Sequence, residues 1–193
     1  MMPLSASHIP NIISALRLVA TPVLVALAYL GQREAFALLL VAALLSDIID
    51  GAIARYFGFT SELGARLDSM ADLLLFGVAA YGIWVFHAQV VSAHSSVFLL
   101  VIALWLGGSL AGFLRYGRMA SFHTFLSRAT AYALGGFIAV LFLWGFNASL
   151  FWAGVFLAVA SQLEEFILLA MLPEWTPNVG GLYWLLRQRA RHP

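Results

Sequence analysis

All four aspartates of the chain fall between positions 47 and 72: Asp47, Asp50, Asp68 and Asp72. The first two are three residues apart and the last two are four apart. On a helix, either spacing puts both carboxylates on one face. A carboxylate at the centre of a membrane helix costs on the order of 3 kcal/mol, so such a cluster points to function. Converging carboxylates need positive charge. Oxygen donors in a chain without cysteine suit a hard divalent cation: Mg²⁺, with Mn²⁺ or Ca²⁺ as alternatives. Four carboxylates can hold two ions, the arrangement that clamps a transferring phosphoryl group. Gly51 lets a ligand approach the backbone, and Ala54 keeps the same face thin one turn later. Arg55 offers a planar cationic fork for phosphate oxygens, and Gly64 leaves room between the helices.

Two other readings compete. One is an ion-paired helix crossing, with Arg55 and Arg66 neutralising the aspartates. The other is a transporter's ion-coupling site. Such sites lie near the midplane, on interrupted helices within repeats. This cluster sits near one interface, and the sequence has no internal repeat.

The elements that must position the cluster follow from composition. Of 193 residues, 63% are hydrophobic and 10% charged, with a mean hydropathy of +0.94; soluble domains carry about 25% charged residues. A net charge of +1 gives no basic face for nucleic acid. The first sixteen residues hold no Lys or Arg, so no cleavable signal peptide is expected. A spanning helix needs roughly 20 apolar residues. Six stretches qualify, at about 10–30, 34–56, 62–86, 95–116, 124–145 and 150–172. The expected fold is therefore all-α and polytopic, with six transmembrane helices in one domain over 1–193. The breaks fall at Gly31-Gln32-Arg33, at Gly58 to Ser61, at a polar linker from His87 to Ser96, at the basic loop Tyr116 to Ser121, and at Gly145-Phe146-Asn147. Pro173 ends the sixth span. Residues 180–193 read as a short interfacial segment with basic side chains reaching headgroups. Met1 to Ile9 is too short to span.

Six spans put both termini on one side. Arg17, Arg55, Arg66, Arg115, Arg118, Arg128, Arg187, Arg189 and Arg191 fall on that side, and only Arg33 on the other. This bias predicts cytoplasmic termini, with the aspartates at the cytoplasmic mouth.

The segment Asp47 to Asp72 reads D-II-D-G-AI-AR-YFGFTSEL-G-ARL-D-SMA-D. It resembles the CDP-alcohol phosphatidyltransferase motif at all eight fixed positions. The resemblance implies an integral membrane enzyme, here in a bacterial inner membrane, that displaces CMP from a CDP-linked lipid such as CDP-diacylglycerol with an alcohol acceptor. It implies two divalent ions, Mg²⁺ or Mn²⁺, on Asp47, Asp50, Asp68 and Asp72, with Asp72 as general base. It places Gly51, Ala54, Arg55, Ser61 and, more weakly, Asn11 at the donor, and it suggests a homodimer. The acceptor signals conflict. Asp68-Ser69-Met70-Ala71-Asp72 with Phe76 to Ala79 is similar to phosphatidylserine synthases. Ile9-Pro10-Asn11 to Leu16-Arg17 is similar to members that use glycerophosphate. The reading from another class is a non-catalytic membrane protein that binds cations or lipid headgroups at the aspartates.

Outside the motif, Arg115, Arg118 and Arg128 are candidates for an acceptor phosphate, against a role as anchors on anionic lipid. Glu164 and Glu165 are expected to include a structural ion pair with an arginine. The five histidines show no metal-ligand spacing and suit surface positions. Tryptophans near span ends suit interfacial anchoring. Gly107-Gly108 and Gly135-Gly136 permit close helix packing.

Overall fold

The computed structural model describes residues 9–57, 62–117, 122, 124–174, 176 and 179–191. Within these stretches, side chains are described except at 9–12, 50–57, 62–69 and 188–191. The described residues form eight helices and no strand: α1 (Ile9–Tyr29), α2 (Arg33–Phe57), α3 (Glu62–Phe86), α4 (Ala88–Ala93), α5 (Ser95–Tyr116), α6 (Phe125–Leu143), α7 (Ala148–Met171) and α8 (Leu182–Arg191). They fall into two compact units, residues 1–92 and 93–193. The six predicted stretches become α1, α2, α3, α5, α6 and α7, with ends shifted by no more than a few residues. Among the described residues, α5, α6 and α7 are long and apolar enough to cross a membrane, and residues 13–29 and 70–86 form shorter apolar helices.

In the first unit α1 packs on both α2 and α3. Its inner stripe runs Ser14, Arg17, Thr21, Leu24 and Ala28, all buried. These positions recur every three or four residues, the period of one helical face. The stripe is polar at its start and apolar at its end. Phe36, Ala37, Leu40 and Ala43 of α2 and Ala71, Leu75, Val78, Ala79 and Ile83 of α3 complete the core, closed by the rings of Phe36 and Phe86 at 5.4 Å. Gly31, at φ +69°, makes the predicted turn into α2 in a backbone region that favours glycine. The Gly58 to Ser61 break lies outside the described residues, as does Met1 to His8.

In the second unit α7 is central and packs on α5, α6 and α8. Thr124 and Asn147 cap α6 and α7 by accepting from the Ser127 and Leu150 N–H groups, as N-cap residues do. Gly154 of α7 lies so close to Leu134 that an added Cβ would meet Leu134 Cδ2 at 3.0 Å. Gly107 and Gly108 face Phe166 and Gln162 of α7, so this glycine pair does bring two helices together. A Cβ on Gly135 or Gly136 would meet nothing within 4 Å.

Two expectations change. The linker from His87 to Ser96 contains a helix, α4, and the first turn of α5. His94 is only partly exposed, held among Phe146, Phe151 and Trp152 with ring centroids at 5.2, 4.6 and 6.1 Å. An imidazole presents an apolar body as well as a polar edge, so a linker histidine can fill an aromatic pocket.

Candidate functional site

The site forms where the polar start of the α1 stripe meets α2 and α3. Arg17 is 2% exposed, one of the largest fully buried side chains described. Its Nη1 donates to Asp47 Oδ1 of α2 at 2.5 Å and to Asp72 Oδ1 of α3 at 2.6 Å. One nitrogen thus joins three helices. Nη2 lies 3.5 Å from Ser14 Oγ, and the Thr21 hydroxyl donates to the Arg17 carbonyl at 3.0 Å. Ser14, Arg17 and Thr21 are therefore one polar face on an otherwise apolar helix. A buried guanidinium is tolerated only when paired, and the two aspartates provide that pairing.

The carboxylates themselves are not buried. The Asp47 side chain is 41% exposed and that of Asp72 is 49%. Arg17 closes the inner side of the site, while the aspartates open outward. Two hard oxygen donors on facing helices, converging and half open, fit a divalent cation in donor type. Among the described residues no group of three or more acidic or histidine side chains forms a metal cage.

The sequence reading placed Asp47 and Asp72 in the site, and the structure brings them together. Asp50, Gly51, Ala54 and Arg55 lie on α2, Asp68 on α3 and Asn11 on α1, with side chains outside the described set. Ser61 and Arg118 lie outside the described residues altogether. Arg55 and Arg66, the partners in the competing ion-paired reading, have side chains outside the described set; among the described side chains Asp47 and Asp72 pair with Arg17, which the sequence assigns only to orientation. Its signal was present: a lone arginine inside an apolar span, with Ser14 and Thr21 three and four residues away.

The second unit holds the acceptor candidates. Arg115 Nη2 donates to the Leu172 carbonyl at 3.1 Å, and its guanidinium lies 5.7 Å from the Tyr116 ring centroid. The Tyr116 hydroxyl donates to the same carbonyl at 2.8 Å. These contacts tie the end of α5 to the end of α7. Arg128 is exposed on α6. A groove of about 390 Å³ between α5 and α7, lined by Ala111, Leu114, Arg115, Phe166, Leu169 and Ala170, contains none of the aspartates. Glu164 accepts from the Leu182 N–H at 2.9 Å. Among the described residues its partner is thus a backbone donor, not the arginine expected for one of the two glutamates.

The sequence matches the CDP-alcohol phosphatidyltransferase family over residues 7–160, and the chain belongs to that family. Together with its apolar helices, this makes it an integral membrane protein. It is 36% identical over 73 residues to a CDP-diacylglycerol–glycerol-3-phosphate 3-phosphatidyltransferase of Rickettsia typhi, covering 36% of this chain and 41% of the relative. It is 37% identical over 83 residues to a probable phosphatidylglycerophosphate synthase of Mycobacterium tuberculosis, covering 40% of each. It is 49% identical over 41 residues to a CDP-diacylglycerol–serine O-phosphatidyltransferase of Helicobacter pylori, covering 21% of this chain and 17% of that one. The chain thus spans about two fifths of the length of the first two relatives. No solved structure matches it.

Proposed function

We propose that the protein transfers a phosphatidyl group from CDP-diacylglycerol to a small alcohol, releasing CMP. The observation that carries this reading is the convergence of Asp47 and Asp72, the first and last aspartates of the family motif, on buried Arg17. Glycerol 3-phosphate is the first acceptor to test, since it stands in the names of the Rickettsia relatives; serine, from the Helicobacter relative, is the second.

Asp47, Asp50, Asp68 and Asp72 would hold the divalent ions, two Mg²⁺ or Mn²⁺. When bound, such ions neutralise pyrophosphate charge and stabilise the leaving group. Arg17 fixes the two outer carboxylates from behind and keeps them from repelling each other. Gly51, Ala54, Arg55, Ser61 and Asn11 form the donor side. Asp72 removes the proton from the acceptor hydroxyl. The acceptor oxygen then bonds to the phosphorus of the phosphatidyl group, and the bond to the CMP oxygen breaks, its electron pair leaving with CMP. Arg115, Arg118 and Arg128 are the candidates for the acceptor phosphate. Arg115 would serve with a guanidinium already anchored on Leu172.

Six spans with both termini in the cytoplasm of a bacterial inner membrane complete the reading, with a homodimer as the assembly. The family match crosses from the first unit into the second, which supports treating residues 1–193 as one domain.

The test is CMP release from CDP-diacylglycerol by purified protein in detergent, with Mg²⁺ and a panel of acceptors. Release that requires one acceptor, is abolished by a chelator and falls at least about 100-fold in Asp72→Asn supports the reading. Folded protein that releases no CMP with any acceptor or metal overturns it in favour of a non-catalytic site for cations or lipid headgroups. Full activity in Asp72→Asn keeps the enzyme and removes the general base.

A further inference from the structure

The chain has a second charged feature that the transfer reaction does not use. Glu164 lies on α7 (Ala148–Met171), yet its Oε1 accepts from the Leu182 N–H at 2.9 Å, a first-turn donor of α8. Such donors have no partner within their own helix, and a carboxylate there also meets the positive end of the helix dipole. The approach depends on the two glycines before α8. Gly180 and Gly181 have φ +76° and +138°, and a Cβ on Gly181 would come within 2.7 Å of Glu164 Oε1. The Gly180 carbonyl accepts from the Phe125 N–H at 3.0 Å. Leu185 is buried against Phe122, Leu168, Leu169 and Leu172. The start of α8 is therefore latched to the end of α7 and the start of α6.

Other described side chains of α8 lie open. Tyr183, Trp184 and Leu186 are 63%, 48% and 49% exposed. Arg187 is exposed as well. Arg189 and Arg191 follow within the helix, and no acidic residue occurs from 175 to 193. Exposed aromatic and aliphatic side chains beside a run of arginines need an apolar phase next to anionic charge. A bilayer interface offers both, and a helix docked on the end of an apolar α7 lies where that interface is. The placement agrees, because α7 is long enough to cross a membrane and α8 packs on its last turns.

We infer that α8 is an interfacial helix, latched by Glu164, that binds the anionic headgroups of the bilayer in which the chain sits. The inference rests on α7 crossing the membrane and not on the transfer reaction.

The test uses the 193-residue chain, which has no cysteine, so Leu186→Cys takes a single environment-sensitive fluorophore. The labelled protein is placed in nanodiscs of phosphatidylcholine, or of phosphatidylcholine mixed with phosphatidylglycerol, each with brominated chains as quencher. Quenching about twofold stronger in the anionic discs, and weakened by salt, is expected. Arg187→Gln, Arg189→Gln and Arg191→Gln combined remove the difference between discs. Glu164→Leu lowers quenching in both discs, and Glu164→Gln, which keeps an oxygen acceptor, does not. Equal quenching of the unsubstituted helix in the two discs overturns the anionic-lipid assignment. A label as open to aqueous iodide in discs as in unfolded protein overturns the interfacial placement. The arginine variants change only side chains at the far end of α8, so their readout stands even if Glu164→Leu fails to fold.

Discussion

At the scale of the residue, Arg17 governs the first unit. Arg17 reaches Asp47 and Asp72 through one nitrogen, so a point charge of similar reach can replace that pairing. Arg17→Lys should therefore keep most of the stability. Arg17→Met leaves two half-exposed carboxylates facing each other. Removing one partner of a fully buried pair costs about 3–5 kcal/mol; with the aspartates open to solvent, a loss nearer about 2 kcal/mol is expected. Thermal unfolding in detergent measures both variants. Added Mg²⁺ should raise the melting temperature of Arg17→Met more than that of the parent, because a competing positive charge has gone and ligand binding stabilises the folded state. An equal shift in the two proteins would detach Arg17 from the cation site. The sequence revealed the aspartates because their types and spacing are chemically unusual within an apolar chain. It hid Arg17 because an arginine near the start of a span also suits an orientation signal. Only the packing of α1 on α2 and α3 separates the two roles.

At the scale of the element, helix positions were legible because apolar runs end at recognisable breakers. Gly31, Gly145 and Pro173 stand within a few residues of the ends of α1, α6 and α7. The polar composition of the linker after α3 does not exclude a six-residue helix, and α4 forms there. His87, directly after α3, shows a consequence. Burial, and then the charge of Arg33, hold its imidazole below its ordinary value of 6.5. The folded state thus disfavours protonation while the unfolded state does not. The stability tied to this group is fully present above pH 6.5 and is lost as pH falls from there through the lowered folded value. Thermal unfolding across that range should show the loss, and His87→Gln should flatten it. In the second unit, Gly181 is a sharper test of element docking. Gly181→Ala forces a Cβ into Glu164 at a backbone angle that L-residues avoid. About 1–3 kcal/mol of destabilisation is expected, read as earlier proteolysis of α8 with α5 to α7 intact.

At the scale of the whole molecule, the organising quantity is the placement of charge. In the second unit the end of α5, the start of α6 and α8 carry Arg115, Arg128, Arg187, Arg189 and Arg191, while the turn between α6 and α7 carries no arginine. In the first unit Arg17, Arg55 and Arg66 lie toward the start of α1, the end of α2 and the start of α3, with Arg33 at the opposite turn. Such a bias sets orientation during insertion, because arginine-rich ends stay in the cytoplasm. Read with six spans, it predicts a fixed pattern of thiol accessibility in a chain that has no cysteine of its own. Gln32→Cys and Ser92→Cys should react with a membrane-impermeant reagent added to intact spheroplasts. Ser121→Cys and His192→Cys should react only in inverted vesicles. Labelling of Gln32→Cys and His192→Cys from the same side would require an odd number of crossings between them to be replaced by an even one. That outcome would break the six-span reading, and if both react from outside it would put α8 with its arginines on the outer surface. The expected pattern keeps Ser121 and His192 on the cytoplasmic side, as the arginine bias requires.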